Sequence, residues 1–160
     1  LAGRPLDVLV NNAGIYGPRD RQSAFDIDFD AWREVFEVNV YAPLRVAQAF
    51  LPNLEAGSGR KIATISSRMG SLGGKPSGAI AYRSSKAAVN MVMVAFGNAV
   101  RASEIAVLLF HPGWVQTDMG GGGADIPATE SAAGLIETVD ASGMAQTNSV
   151  RTWQGETIPW

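Results

Sequence analysis

Tyr82 and Lys86 stand four residues apart in the stretch AYRSSKAAVN, residues 81–90. On a helix that spacing puts both side chains on one face, one turn apart. A free phenol keeps its proton up to a pKa near ~10, too high for exchange at neutral pH. A neighbouring ammonium favours the phenolate and lowers that value. The pair has the makings of a proton donor and acceptor with the cation that tunes it. Taken alone, the same spacing also describes an ordinary helix-surface pair. The two readings separate on whether the rest of the chain builds a ligand site around them.

Three short apolar runs supply the elements that would build it: LDVLV at 6–10, KIATIS at 61–66 and IAVLLF at 105–110. Such runs, bounded by turn residues, are typical of buried parallel strands. A last strand is expected near 149–153. Between the strands lie helical stretches at roughly 30–51, with Asp28 or Asp30 as its cap, at 79–102, and near 129–141. Pro52 and EAGSG are expected to end the first of these. Strand and helix alternate, which argues an α/β fold, a parallel sheet with helices on both faces. In the long helix Val89, Val92, Phe96 and Val100 form one stripe, with Met91, Met93 and Val94 off it. Helices apolar on more than one face pack on more than one side.

Each of the first three strands runs out, at its carboxyl end, into a polar or glycine-rich signature: NNAG, SS and HPGW. In open parallel sheets ligands bind outside those ends. Asn12, Ser67, Tyr82, Lys86 and Gly113 are therefore expected to approach one crevice.

Composition narrows the classes. The 160 residues are 46% hydrophobic and 18% charged, as in a globular protein rather than a disordered chain. A net charge of −2 gives no basic footprint for nucleic acid. There is no cysteine, and His111 is the single histidine, so no metal site of the thiolate or multi-histidine kind is expected. His111 itself reads as structural. No apolar run reaches the ~18 residues of a membrane span, and no leader is visible, so the expectation is a cytoplasmic protein.

In combination, NNAG at 11–14, Asn39 within a helix, ISS at 65–67, YRSSK at 82–86 and HPGWVQTDM at 111–119 resemble the short-chain dehydrogenase/reductase family. The wording SSRMGSLG, AYRSSKAA and the closing IPW is most similar to its C-factor and sniffer-like carbonyl-reductase branch. The resemblance runs from about Leu6 to Trp160, which reads as a single domain over 1–160 that lacks the first part of the family fold. It implies NAD or NADP as cofactor and a small-molecule carbonyl or alcohol as substrate. It also implies that Tyr82 exchanges the proton, Ser67 (with Ser66 the competing neighbour) binds the substrate oxygen, and Lys86 tunes the phenol and holds the nicotinamide ribose. Asn39 would belong to a proton relay. Asn12, Ala13 and Gly14 would lie beside the adenine ribose, and Pro112, Gly113, Val115 and Thr117 beside the carboxamide. Plainer readings stand beside these: Ser67 as a turn cap, Asn39 satisfied by backbone, NNAG as a sheet-stabilising turn.

The sequence departs from the family at its start. The family opens with a strand and a glycine-rich turn of the T-G-x-x-x-G-x-G type, whose amides cradle the cofactor pyrophosphate. Only ten residues precede NNAG here, and GGGG at 120–123 has the wrong place and spacing. Weak or no cofactor binding is expected of these 160 residues. The alternative is a non-catalytic, C-factor-like intercellular signalling or binding module, for which association with the cell surface is conceivable. A homo-oligomer through the helices at 30–51 and 79–102 is also expected, with edge pairing at LDVLV as the competing mode.

Overall fold

The apolar runs become β1 (Val8–Asn11), β2 (Lys61–Ile65) and β3 (Ala106–His111) in the computed structural model, which describes residues 3–160. They are joined by β6 (Val150–Thr152) and β7 (Thr157–Ile158) in one sheet of order β1-β2-β3-β6-β7. The first four strands are parallel, as the strand–helix alternation requires. β7 is the addition that the sequence pattern did not announce: it turns back from β6 as an antiparallel hairpin. Two more two-residue strands, β4 (Val115–Gln116) and β5 (Ile126–Pro127), pair with each other in the loop beyond β3.

Strand alternation divides the core in two. Ile62, Val107, Leu109 and Val150 point to the face covered by the long helix α4 (Ile80–Ala99) and by α2 (Ala42–Ala49), where they meet Val40, Ala47, Val89 and Met93. Ala63, Ala106, Leu108 and Phe110 point to the opposite face, against Val139 and Leu135 of α5 (Ala128–Ala141). β3 is central and buried on both faces, which is why it reads as an unbroken apolar run.

The helical stretch expected at 30–51 is more finely built than its periodicity suggested. Asp28 is its cap, accepting from the N–H groups of Asp30 and Ala31. α1 (Phe29–Phe36) passes into a π turn (Glu37–Tyr41) and then into α2. The π turn has a local cause. Pro43, four residues after Asn39, has no N–H to return to the Asn39 carbonyl, so α-helical pairing fails there. Ala42 instead donates to Glu37, five residues back. Pro52 does not stop the chain, contrary to the sequence expectation. It sits in the first turn of α3 (Leu51–Ala56), where a missing N–H costs nothing. In α4 the buried line runs through Val89, Met93, Gly97 and Val100, so Met93 belongs to the core, while Val92 and Phe96 flank it half-buried. Met91 is exposed.

Candidate functional site

The loop leaving β2 and the start of α4 carry the reactive side chains. Ser66 and Ser67 end β2 and part there. The Ser66 hydroxyl turns inward to Asn90 Oδ1, a buried pair within the core. Ser67 caps a short 3-10 turn, Arg68–Gly70, by accepting from Met69 N–H at 3.1 Å. That turn lies directly on α4: a Cβ on Gly70 would stand 2.8 Å from the carbonyl carbon of Lys86. Only glycine allows so close an approach, and it brings the Ser67 hydroxyl beside the Tyr82 phenol.

Tyr82 and Lys86 share one face of α4, as their spacing requires, and both are buried, at 8% and 4% exposure. The Lys86 ammonium lies 5.6 Å from the centre of the Tyr82 ring and donates to the Ile65 carbonyl at 3.0 Å. Burial pushes the Lys86 pKa down to about 8. Burial also raises the Tyr82 pKa, the Ser67 hydroxyl acts to lower it, and the Tyr16 ring adds to the rise. The sequence argument had the lysine lowering the phenol. In the folded chain desolvation of the ring dominates instead, because an apolar surround disfavours the phenolate.

Asn39 sits in the π turn with 1% exposure. Its amide is fully engaged: Oδ1 accepts from Ile15 N–H at 2.8 Å, and Nδ2 donates to the Ile15 carbonyl at 2.8 Å and to Ser85 Oγ at 3.0 Å. Ser85 in turn donates to the Tyr82 carbonyl at 2.7 Å. Asn39 thus ties the loop after NNAG to the helix of Tyr82. Gly14 is drawn into the same knot, since a Cβ there would stand 3.4 Å from Asn39 Oδ1 and 3.5 Å from Lys86 Nζ. Asn12 and Ala13 are exposed at the carboxyl end of β1. Asn11 is the buried member, donating to the Pro43 carbonyl and Thr64 Oγ1, each at 3.3 Å.

The remaining expected residues lie along the loop beyond β3, and their bonds run to α5 and its neighbours. The Pro112 carbonyl accepts from Ser131 Oγ at 2.6 Å. Gly113, at φ +90°, packs on Ile126 and Trp153. Val115 pairs with Ile126, and Thr117 Oγ1 accepts from Gly120 N–H at 3.1 Å. The two loops meet where Arg19 donates to the Met119 carbonyl. His111 faces the protein interior with Nδ1 unpaired among the described residues. Burial, aided by the Arg68 charge, lowers its pKa to about 4, in keeping with a structural, neutral imidazole.

Sequence reasoning missed Tyr16, whose ring stacks on Tyr82 with centroids 4.6 Å apart. It also missed Gln22 and Ser85. Ser85 stood inside the quoted YRSSK; Tyr16 and Gln22 lie in an irregular loop where spacing carries no signal. Among the described residues no cluster of acidic and imidazole groups suits a metal ion, and no helix is long and apolar enough to cross a membrane.

A model of the short chain dehydrogenase family matches residues 2–125. C-signal from Myxococcus xanthus is 41% identical over 157 residues, covering 98% of this chain and 93% of that protein. A 1-hydroxy-2-glutathionyl-2-methyl-3-butene dehydrogenase from Rhodococcus sp. (strain AD45) is 38% identical over 143 residues, 86% of this chain but 61% of its own length. Among solved structures, the carbonyl reductase Sniffer of D. melanogaster superposes with a TM-score of 0.91 at 30% identity, over 99% of this chain and 68% of its own. The NADPH-bound carbonyl reductase from chicken fatty liver gives 0.89 at 31% identity, over 100% of this chain and 68% of its own.

Proposed function

The chain belongs to the short-chain dehydrogenase family, and from that premise we propose that it carries the proton-transfer half of an NAD(P)-dependent oxidoreductase acting on a small carbonyl or alcohol. The observation that carries this reading is the convergence of three groups, the Ser67 hydroxyl, the Tyr82 phenol and the Lys86 ammonium, at the carboxyl ends of β2 and its neighbours. The residues present fit the nicotinamide side of such a cofactor. Among the described residues Lys86 shows one hydrogen bond, leaving N–H groups beside Gly14, where the absent Cβ leaves the ammonium uncovered. Lys86 and Tyr82 would hold the ribose there. Asn12, Ala13 and Gly14 would line the adenosine side, and Pro112, Gly113, Val115 and Thr117 the carboxamide. When bound, the nicotinamide supplies or accepts the hydride.

In the reducing direction Tyr82 gives its phenolic proton to the substrate oxygen while the Ser67 hydroxyl donates a hydrogen bond to the same atom. The raised pKa keeps that proton on Tyr82 at neutral pH, the form reduction needs. Oxidation of an alcohol needs the phenolate, so its rate is expected to climb toward alkaline pH. Lys86, at about 8, still carries its charge in most molecules at neutral pH and loses it above. Asn39 braces the loop that covers this ammonium. A single-domain reading of 1–160 and a cytoplasmic location accompany this proposal.

The 160 residues contain no glycine-rich turn of the pyrophosphate-binding type. Calorimetric titration of the chain with NADH and NADPH is therefore expected to show weak or no binding. A dissociation constant in the low micromolar range would show that the nicotinamide side suffices. A second reading has its own support, because the chain spans 93% of C-signal. Under it the folded chain acts as a signalling or binding module, at the cell surface rather than in the cytoplasm. Such a role survives Tyr82→Phe, whereas turnover does not.

We also read the chain as a homo-oligomer. Phe29, Tyr41 and Val46 are exposed along α1 and α2, around a hollow of about 470 Å³ lined by Phe29, Trp32, Phe36 and Tyr41. Met91 is exposed on α4. Each such side chain removed from water contributes roughly 1.5–3 kcal/mol. β1 is an edge strand with Val10 exposed, which offers the competing mode of association. Light scattering at low micromolar concentration is expected to give at least twice the 16.9 kDa of one chain; a monodisperse single-chain mass would refute it. Met91→Arg separates the modes, splitting a helix-mediated dimer and sparing a strand-mediated one. Val92 is less suited, since it packs against the core.

A further inference from the structure

Gln22 is 3% exposed in a loop whose other members are largely open to solvent. Its amide is spent entirely on groups outside its own turn. Oε1 accepts from the Tyr82 backbone N–H at 3.0 Å. Nε2 donates to the carbonyls of Tyr16 and Pro18, each at 2.9 Å. The Gln22 backbone carbonyl accepts from Ile80 N–H at 3.1 Å. The first N–H groups of a helix have no acceptor within it, and a capping side chain normally supplies one. The residue at the cap of α4 is Ala79, at φ +54° and with no side-chain oxygen. Gln22 fills that role from 60 residues away in sequence.

The two segments it joins carry the two stacked rings. Tyr16 lies on Tyr82 at 4.6 Å between centroids and 27° between planes. The Arg19 guanidinium stands 4.8 Å from the Tyr16 ring centre. We propose that Gln22 is the positioning residue of this site: it fastens the start of α4 and the Tyr16 loop into one piece, and so holds the Tyr82 ring against Tyr16 with its hydroxyl at Ser67. The proposal rests on the reading of Tyr82 as the proton-transfer group. A cap that served α4 alone would need only Oε1. The two donor bonds to the Tyr16 loop add nothing to the helix and bear only on where Tyr16 sits.

The groups facing Tyr82 are the Tyr16 ring, the Lys86 ammonium and the Ser67 hydroxyl, with Arg19 on the Tyr16 ring. Loosening the Tyr16 loop admits water to the ring and weakens the desolvation that raises its pKa. The test is nuclear magnetic resonance titration of the chain labelled at tyrosine Cζ, with Tyr82 and Tyr16 assigned through their Phe variants and Tyr41 as internal control. In Gln22→Ala the Tyr82 midpoint is expected to fall back toward the ordinary ~10, with Tyr41 unmoved. Gln22→Glu keeps an acceptor for the Tyr82 amide but sets a carboxylate against two carbonyls. It is expected to release Tyr16, shifting its Cζ resonance, while amide exchange at Tyr82 stays slow. In the unaltered chain that amide is expected to be protected, although it is only the third of its helix.

An unchanged Tyr82 titration in a folded Gln22→Ala or Gln22→Glu chain would reduce Gln22 to a structural cap and overturn the proposal. Should neither variant fold, the unaltered chain decides: a Tyr82 amide exchanging as freely as an open helix terminus overturns it, and a protected one supports it. None of these readouts needs cofactor or turnover. Retained turnover in Tyr82→Phe would sink the enzymatic reading without touching the clamp.

Discussion

Tyr82→Phe is expected to lower carbonyl-reductase turnover by roughly 100- to 10,000-fold, the usual worth of a positioned proton donor. The assay uses the chain fused behind a glycine-rich nucleotide-binding segment of a relative, so that cofactor affinity does not limit the signal. NADPH oxidation is followed by absorbance with a small carbonyl substrate. The fold is expected to survive, because the substitution removes one oxygen and leaves the ring that packs on Tyr16. Loss of the hydroxyl's contact with Ser67 costs about 1 kcal/mol of stability. Turnover, and not the affinity for NADPH, should carry the change, since Lys86 and Gly14 are untouched. Ser67→Ala is expected to act in the same direction and more weakly. Turnover in Tyr82→Phe within tenfold of the parent would remove Tyr82 from the chemistry.

The largest expected effect on stability comes from Asn39→Ala. The change deletes three hydrogen bonds at a position 1% exposed, and leaves both the N–H and the carbonyl of Ile15 without their partner. Each part-buried group stranded this way costs roughly 1–3 kcal/mol, so the sum is about 2–5 kcal/mol. Urea denaturation should show a lower midpoint with an unchanged slope, the signature of lost stability without altered compactness. Asn39→Asp separates the donor from the acceptor role. Its carboxylate still accepts from Ile15 N–H but meets the Ile15 carbonyl with a second oxygen instead of a donor. A loss below ~0.5 kcal/mol for Asn39→Ala, the range of ordinary surface changes, would show that backbone alone holds the loop.

Strand alternation and helical spacing made the sheet legible, because β3 and β2 are buried on both faces and spell that out in consecutive apolar residues. The hairpin to β7 was not legible, since two residues of edge strand carry no period. Tyr82, Lys86 and Ser67 could be placed together from sequence because each lies at a fixed offset from a regular element. Tyr16 and Gln22 could not, because their role arises from a loop folding back across 60 residues. The choice between Ser66 and Ser67 needed Asn90, which claims the first and leaves the second facing the phenol. Pro52 misled for a definable reason. A proline halts a helix from within but is neutral in a first turn, and the sequence alone does not say where a new turn begins.

The π turn at Glu37–Tyr41 amounts to one residue more than an α-helix would spend on that arc. It can be removed by shortening the chain, with no change of residue type. Deleting one residue there would let α1 run on into α2 as a continuous α-helix and rotate one half against the other by about 100°. Asn39 would then leave Ile15, and Tyr41 would exchange its exposed face for another. Substitution scanning treats Val38 and Val40 as ordinary apolar positions and passes over this. For this helix, a reading frame of amino acids matters as much as their identities. A one-codon deletion between Glu37 and Tyr41 is the smallest genetic change that dismantles the site without altering any residue in it.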